Sequence, residues 1–220
     1  LIRTTRRIEL TDEGRQFVNT IRKALQAMQS AENDIITRGE LPAGKLRINA
    51  ASPFIYHQLI PLIQPFKLAY PDIELELRSN EGFIDLIENR TDVAIRIGKL
   101  ADSTLHARSL GTSPLYVVAA PEYLAKRGVP KQPSDLKHHD VIGFSDIKSL
   151  NKWPIKGAEF VRPAITASNG EAIRQLALSG NGIACLSGFM VHNDIAEGTL
   201  ITLLNSYRLL NTEREQVNAV

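Results

Sequence analysis

The hydrophobic period of this chain changes at a Pro/Gly break, and that change fixes what its two parts can become. Ahead of the break, apolar or small residues recur at Gly14, Phe17, Ile21, Ala24, Met28, Ala31 and Ile35, with Val18 and Leu25 beside the stripe. Alternating steps of three and four are the spacing of a seam that packs along another helix. Thr11 is an N-cap candidate, and Asp12 and Glu13 put acids in the first turn, where the helix dipole favours them. Gly39, Pro42 and Gly44 stop the pattern. The spacing predicts a helix over 11–38, a rod of roughly 40 Å at 1.5 Å per residue. Such a helix precedes any core of its own, so its seam calls for a partner chain. The dimerisation positions are then Phe17, Ile21, Ala24, Met28, Ala31 and Ile35. The same stripe also suits a surface helix folded back on its own domain.

After Lys45 strand and helix patterns alternate. Leu46 to Ser52 reads as a strand, a helix starts near Pro53, Ile73 to Ser79 is a strand, GFIDLIENR a helix and Asp92 to Gly98 a third strand. This is the signature of a mainly parallel sheet covered on both faces. Pro61 and Pro65 predict a bent first helix. Leu115 to Pro121 is strongly strand-like and the pattern then starts afresh: VIGF, FVRPAITAS, a helix over Glu171 to Leu178, GIACL, a helix near Gly188 to Ala196, TLITLL and a final strand EQVNAV. The fold class is α/β with two lobes, the first over 45–119 and the second over 120–220 with a return strand to the first.

Small molecules bind open α/β sheets beyond the carboxyl ends of the strands, where helix N-termini point inward. Four stretches occupy such ends: Ser52–Pro53, Ser79–Asn80, Arg96 with Gly98, and Ser168–Asn169. Hydroxyls, amides, helix N–H groups and one arginine suit a small carboxylate or similar anion. Ser52, Ser79 and Asn169 read equally as helix caps, and Arg96 as half of an ion pair.

Other chemistries lack their residues. No GxSxG elbow, HExxH, Cys-x-x-Cys or Walker loop occurs. The histidines His57, His106, His138, His139 and His192 are scattered, and the glycines of GNG and LSG make turns rather than a dinucleotide loop. No enzyme, metal or cofactor is expected. The single Cys185 fits a reducing compartment and a buried apolar strand. No apolar run reaches the roughly 18 residues of a membrane span, and the start is no secretory signal; the location expected is cytoplasmic. Lys+Arg 26 against Asp+Glu 24 leaves a net charge of +2, which selects no partner. Residues 1–10 are the exception, with Arg3, Arg6 and Arg7 against Glu9 alone, a segment suited to phosphates.

Together these segments resemble the LysR-type transcriptional regulators. The resemblance is carried by RTTRRIELTDEGRQF, GKLRINAS, LIPLIQPFKLAYPDIELEL, DVAIRIGKLADSTLHARSL, PLYVVAAPEYLAKRG and ITASNGEAIRQLALSGNGIACL, and covers essentially the whole chain. It implies that residues 1–10 end a winged helix-turn-helix, that 11–38 form the linker helix pairing with another subunit, and that a two-lobed, periplasmic-binding-protein-like domain binds an inducer. Arg3, Arg6 and Arg7 then match the DNA-contacting wing. Ser52, Pro53, Phe54, Asn80, Arg96, Gly98, Ser168 and Asn169 match the effector pocket. The partners implied are promoter DNA, a small-molecule effector, a homodimer or homotetramer, and RNA polymerase, with no membrane. Most of the DNA-reading domain is expected upstream of Leu1 and a closing helix after Val220. The alternative is a two-lobed solute-binding receptor without DNA, distinguished by a signal peptide in place of the DNA-binding head.

Overall fold

The computed structural model describes residues 2–3, 8–9, 11, 20–21, 42–79, 91–100, 107–157 and 161–220. Two units divide the chain, 1–44 with 70–73 and 45–69 with 74–220. In the first, β1 (Ile2–Arg3) and β2 (Ile8–Glu9) form an antiparallel ribbon with Ile2 opposite Glu9 and Arg3 opposite Ile8. Thr20 and Ile21 are helical, and Ile21 is exposed. The seam positions Phe17, Ala24, Met28, Ala31 and Ile35 lie outside the described residues, as do Arg6, Arg7 and the helix expected over GFIDLIENR.

The second unit holds both sheets. One has the order β4-β3-β5-β12-β6, built from β3 (Gly44–Ala50), β4 (Ile73–Ser79), β5 (Val93–Ile97), β6 (Arg108–Thr112) and β12 (Gln216–Ala219). The other is centred on β7 (Leu115–Ala119), which lies between β10 (Ala184–Ser187) and β11 (Ile201–Leu203) and is antiparallel to both. β8 (Ile142–Phe144) and β9 (Ile165–Ala167) pair in parallel, and a parallel bridge from Val141 to Ile183 joins them to the β10 side.

Each of the two larger sheets contains one strand that runs antiparallel to its neighbours. In each, the odd strand is one that has just crossed from the other sheet. β12 runs antiparallel to β5 and β6, as β7 does to its neighbours. Crossover helices are what make neighbouring strands parallel, and none intervenes between β6 and β7, where only Ser113 and Pro114 separate the strands. The strand-like run Leu115 to Ala119 pairs with β10 and β11. The strand also ends at Ala119; Pro121 opens helix α2 (Pro121–Arg127) instead of closing it. Proline is pre-set for a first helical turn and unfit to continue a central strand.

Helix α1, absent any break over 52–69, consists of an α turn at Ser52–Phe54, a π turn at Ile55–Leu59 and an α segment at Ile60–Ala69. Pro61 has no N–H to offer the carbonyl of His57 and would crowd it, so a widened turn just before Pro61 has a physical reason. Helices α3 (Gly170–Leu178) and α4 (Gly188–Glu197) cover the second sheet.

The period of two along β7 decides which core each residue enters. Leu115, Val117 and Ala119 face a cluster with Trp153, Ile155, Ile183 and Cys185. Val118 faces another, with Ile142, Ile173, Ala184, Leu186 and Val191. Burial on both faces explains a strand without a polar residue except the Tyr116 hydroxyl. The first sheet's described core is smaller: Ala50, Phe54, Ile55, Ile95 and Val217.

Candidate ligand-binding site

A cavity of about 480 Å³ opens where the two sheets and three helix starts converge. The first lobe contributes Ala51, Pro53, Ile95, Arg96 and Gly98; the second contributes Phe144, Leu150, Gly170, Ser187 and Phe189; Arg214 comes from the segment returning between them. Its size is that of a small-molecule site, and most of its wall is apolar. Pro53, Gly170 and Ser187 stand at the starts of α1, α3 and α4, so the positive ends of three helix dipoles border one space.

The charges around it are uneven. Arg96 Nη1 donates to Asn49 Oδ1 at 2.8 Å and to the Ile95 carbonyl at 3.3 Å. Its Nη2 is buried with no hydrogen-bond partner among the described residues. Arg214 Nη1 donates to the Lys152 carbonyl at 2.5 Å. Neither guanidinium forms an ion pair with a carboxylate among the described residues. Burial pushes the pKa of both down, yet arginine stays charged in proteins. Lys99 at the rim is different, since its ammonium meets Glu213 at 3.0 Å.

Beside the cavity the lobes touch through a fully paired network. His57 Nε2 on α1 lies 2.8 Å from Glu171 Oε2 on α3. Glu171 Oε1 accepts from Arg174 at 2.9 Å, and Arg174 donates twice to Asp194 on α4, at 2.5 and 2.6 Å. Burial draws the Glu171 carboxyl upward, but hydrogen bonds from Gln175, His57 and Arg174 outweigh it and hold its pKa below the ordinary value. The Asp194 hydrogen bond is the main reason that Arg174 titrates above the usual guanidinium range. Phe54 meets Phe189 edge-on with centroids 5.3 Å apart, and Gln58 Nε2 donates to the Phe189 carbonyl at 3.2 Å.

Of the residues expected at the pocket, Pro53, Arg96 and Gly98 line the cavity. Phe54 is buried in the lobe contact, one step behind the wall. Ser52 begins α1 without lining the space, and Ser168 is exposed. Asn169 caps α3, its Oδ1 accepting from Ala172 N at 2.9 Å; Asn80 lies outside the described residues. Ser187 and Arg214 are among the contributors that escaped the pattern. Ser187 obeys the same strand-end rule but sits in an LSG that reads as a turn. Arg214 has no local signature at all, because only the return crossover brings it to the site.

Two mixed α/β sheets joined by two crossovers around a cavity at strand ends define a two-lobed ligand-binding domain. The chain belongs to the LysR family of transcriptional regulators: the family model for the LysR substrate binding domain matches residues 39–209. It is 48% identical over 208 residues to the HTH-type transcriptional regulator CrgA of Neisseria meningitidis serogroup C (strain 8013), covering 93% of this chain and 70% of that protein. It is 33% identical over 214 residues to the HTH-type transcriptional regulator PtxR of Pseudomonas aeruginosa, covering 95% of this chain and 69% of that one. A solved structure of CrgA from Neisseria meningitidis superposes with a TM-score of 0.78 at 44% identity, covering 100% of this chain and 75% of the other.

Proposed function

We propose that this chain is the sensing portion of a DNA-binding transcription regulator, controlled by a small organic anion held between its lobes. The observation that carries the reading is the cavity: strand ends and helix starts of both lobes line it, Arg96 among them, and the buried Arg96 Nη2 has no hydrogen-bond partner among the described residues. A ligand spanning that space touches both lobes at once, so its binding energy can bias how they are held, as a small-molecule switch requires.

In this reading residues 1–10 are the end of the wing, with Arg3, Arg6 and Arg7 on DNA phosphates or the minor groove. Residues 11–38 are the linker helix. The first effector lobe begins at Lys45 and the second at β7, with β12 returning to the first. The exposed face of α1, with Ile60 50%, Leu62 60% and Leu68 78% accessible, gives a homodimer or homotetramer apolar surface to cover beyond the linker seam. The regulator acts on promoter DNA and RNA polymerase in the cytoplasm. No helix among the described residues is long and apolar enough to cross a membrane.

The test is a low-salt mobility shift with the full-length protein and the DNA flanking its own gene. A specific shift that responds to a small organic acid is expected; the absence of any shift would sink the regulator reading for this protein. For the linker, removal of residues 1–38 is expected to leave a folded domain with weaker self-association by sedimentation. Unchanged assembly would remove the helix from the interface.

A further inference from the structure

We infer that the effector is a dianion, two acidic groups joined by a compact apolar frame, and that Arg214 receives the second of them while Arg96 receives the first. This rests on the reading of the cavity as the effector site.

Charge balance is the first argument. Arg96 and Arg214 both line the cavity and neither meets a carboxylate among the described residues, whereas Lys99, which also lines it, is matched by Glu213, and Arg174 is matched twice. Cations withdrawn from water are expensive unless paired. Among the described residues the neighbouring cations are paired and these two are not, which leaves two places for negative charge.

Geometry separates the two places. Arg96 is tied back to the first sheet through Asn49 on β3. Arg214 is tied toward the second lobe through the Lys152 carbonyl. Each guanidinium keeps further N–H donors after those bonds, enough for a carboxylate apiece. Much of the remaining lining is apolar, with Pro53, Phe144, Ile147, Leu150 and Phe189, and Ser149 and Ser187 add hydroxyls.

Position gives Arg214 a second consequence. It stands in the turn Glu213–Glu215, directly before β12. Its neighbour Glu215 is buried and clasps both crossovers: Oε2 accepts from Thr212 N at 3.1 Å, and its carbonyl accepts from Ser113 N at 2.7 Å. A ligand group bound to Arg214 therefore pulls on the joint of the lobes, while its other end is fixed to the first sheet.

The experiment compares ligands of equal shape and decreasing charge. The 220-residue chain is titrated calorimetrically with the dicarboxylates from malonate to suberate and with isophthalate, then with the mono- and dimethyl esters of those that bind. At least one diacid is expected to bind about tenfold or more tightly than its half-ester, and the diester more weakly still. Arg214→Met and Arg96→Met are each expected to weaken the diacid about tenfold or more and to level it with its half-ester. Without ligand, Arg214→Met is expected to leave the melting temperature unchanged or higher, because an unpaired charge is removed; that readout separates a binding role from a structural one. Half-esters or diesters binding as tightly as diacids overturn the dianion and leave the effector cavity standing. A diacid that binds equally well to wild type and a folded Arg214→Met chain overturns the role of Arg214. If no acid or ester of the series binds, both the dianion and the reading of the cavity beneath it fall.

Discussion

Two arginines, Arg174 and Arg214, are treated in opposite ways. Arg174 is saturated with carboxylates, Glu171 on one side and Asp194 on the other, and it links α3 to α4 within the second lobe. Arg214 lines the cavity, and among the described residues its guanidinium donates to one backbone carbonyl, that of Lys152. A cation surrounded by acids has its electrostatic work done inside the protein. A cation left open at a cavity has that work still to do. The difference divides the region between the lobes into a part that holds the fold and a part that waits for a ligand.

The largest way to break that comparison is Asp194→Ala. Asp194 is 5% exposed and supplies both acceptors of the bidentate pair. Removing it leaves Arg174 half-paired in a poorly hydrated place, at an expected cost of about 3 kcal/mol. Urea unfolding at neutral pH checks it, and a loss below about 1 kcal/mol would show that solvent already does most of the pairing. Gly170→Val comes next. A Cβ at Gly170 would lie 3.2 Å from both Pro53 Cγ and Met190 Cε, so a branched side chain wedges α1 away from α3. Overpacking of this kind costs about 1–2 kcal/mol, and weaker binding of whichever acid the cavity takes should accompany the lowered stability.

Asn169→Ala is expected to be smaller, about 1 kcal/mol of stability through the lost N-cap. Asn169 Oδ1 accepts from Ala172 N at the start of α3. Calorimetry with a bound acid should therefore change less than the urea midpoint does. The reverse ranking would move Asn169 from the frame to the site.

How far the sequence could be read follows from the range of each signal. β7 and β10 are legible because a strand buried on both faces must be apolar throughout, and Leu115–Ala119 is. β6 is not, because Arg108–Thr112 is exposed along its whole length and carries no alternation to detect. Pro53, Arg96 and Gly98 could be placed at the cavity because a strand end followed by a helix start is a local pattern. Arg214 could not, since it reaches the site through a crossover whose pairing with β5 and β6 is decided over more than a hundred residues of chain. Asn169 shows the limit of local evidence from the other side: capping and ligand binding ask for the same residue at the same place.

The smallest effect sharpens the paired half of the comparison through pH. The Glu171 carboxyl is held below its ordinary pKa of 4.5, despite burial, by Gln175, His57 and Arg174. A depressed folded pKa means that the unfolded chain takes up the proton first as pH falls. The stabilisation is then fully present above the unfolded value and is lost as pH drops through the folded one. Glu171→Gln removes that titration while keeping an acceptor for Arg174. Urea midpoints of wild type and variant should differ at pH 7 and should converge as pH falls below the ordinary carboxylate value. Parallel curves through the acid range would mean that Glu171 gains nothing from its partners on folding. The network would then be a crossing point of hydrogen bonds, and the contrast with the open arginines would rest on Asp194 alone.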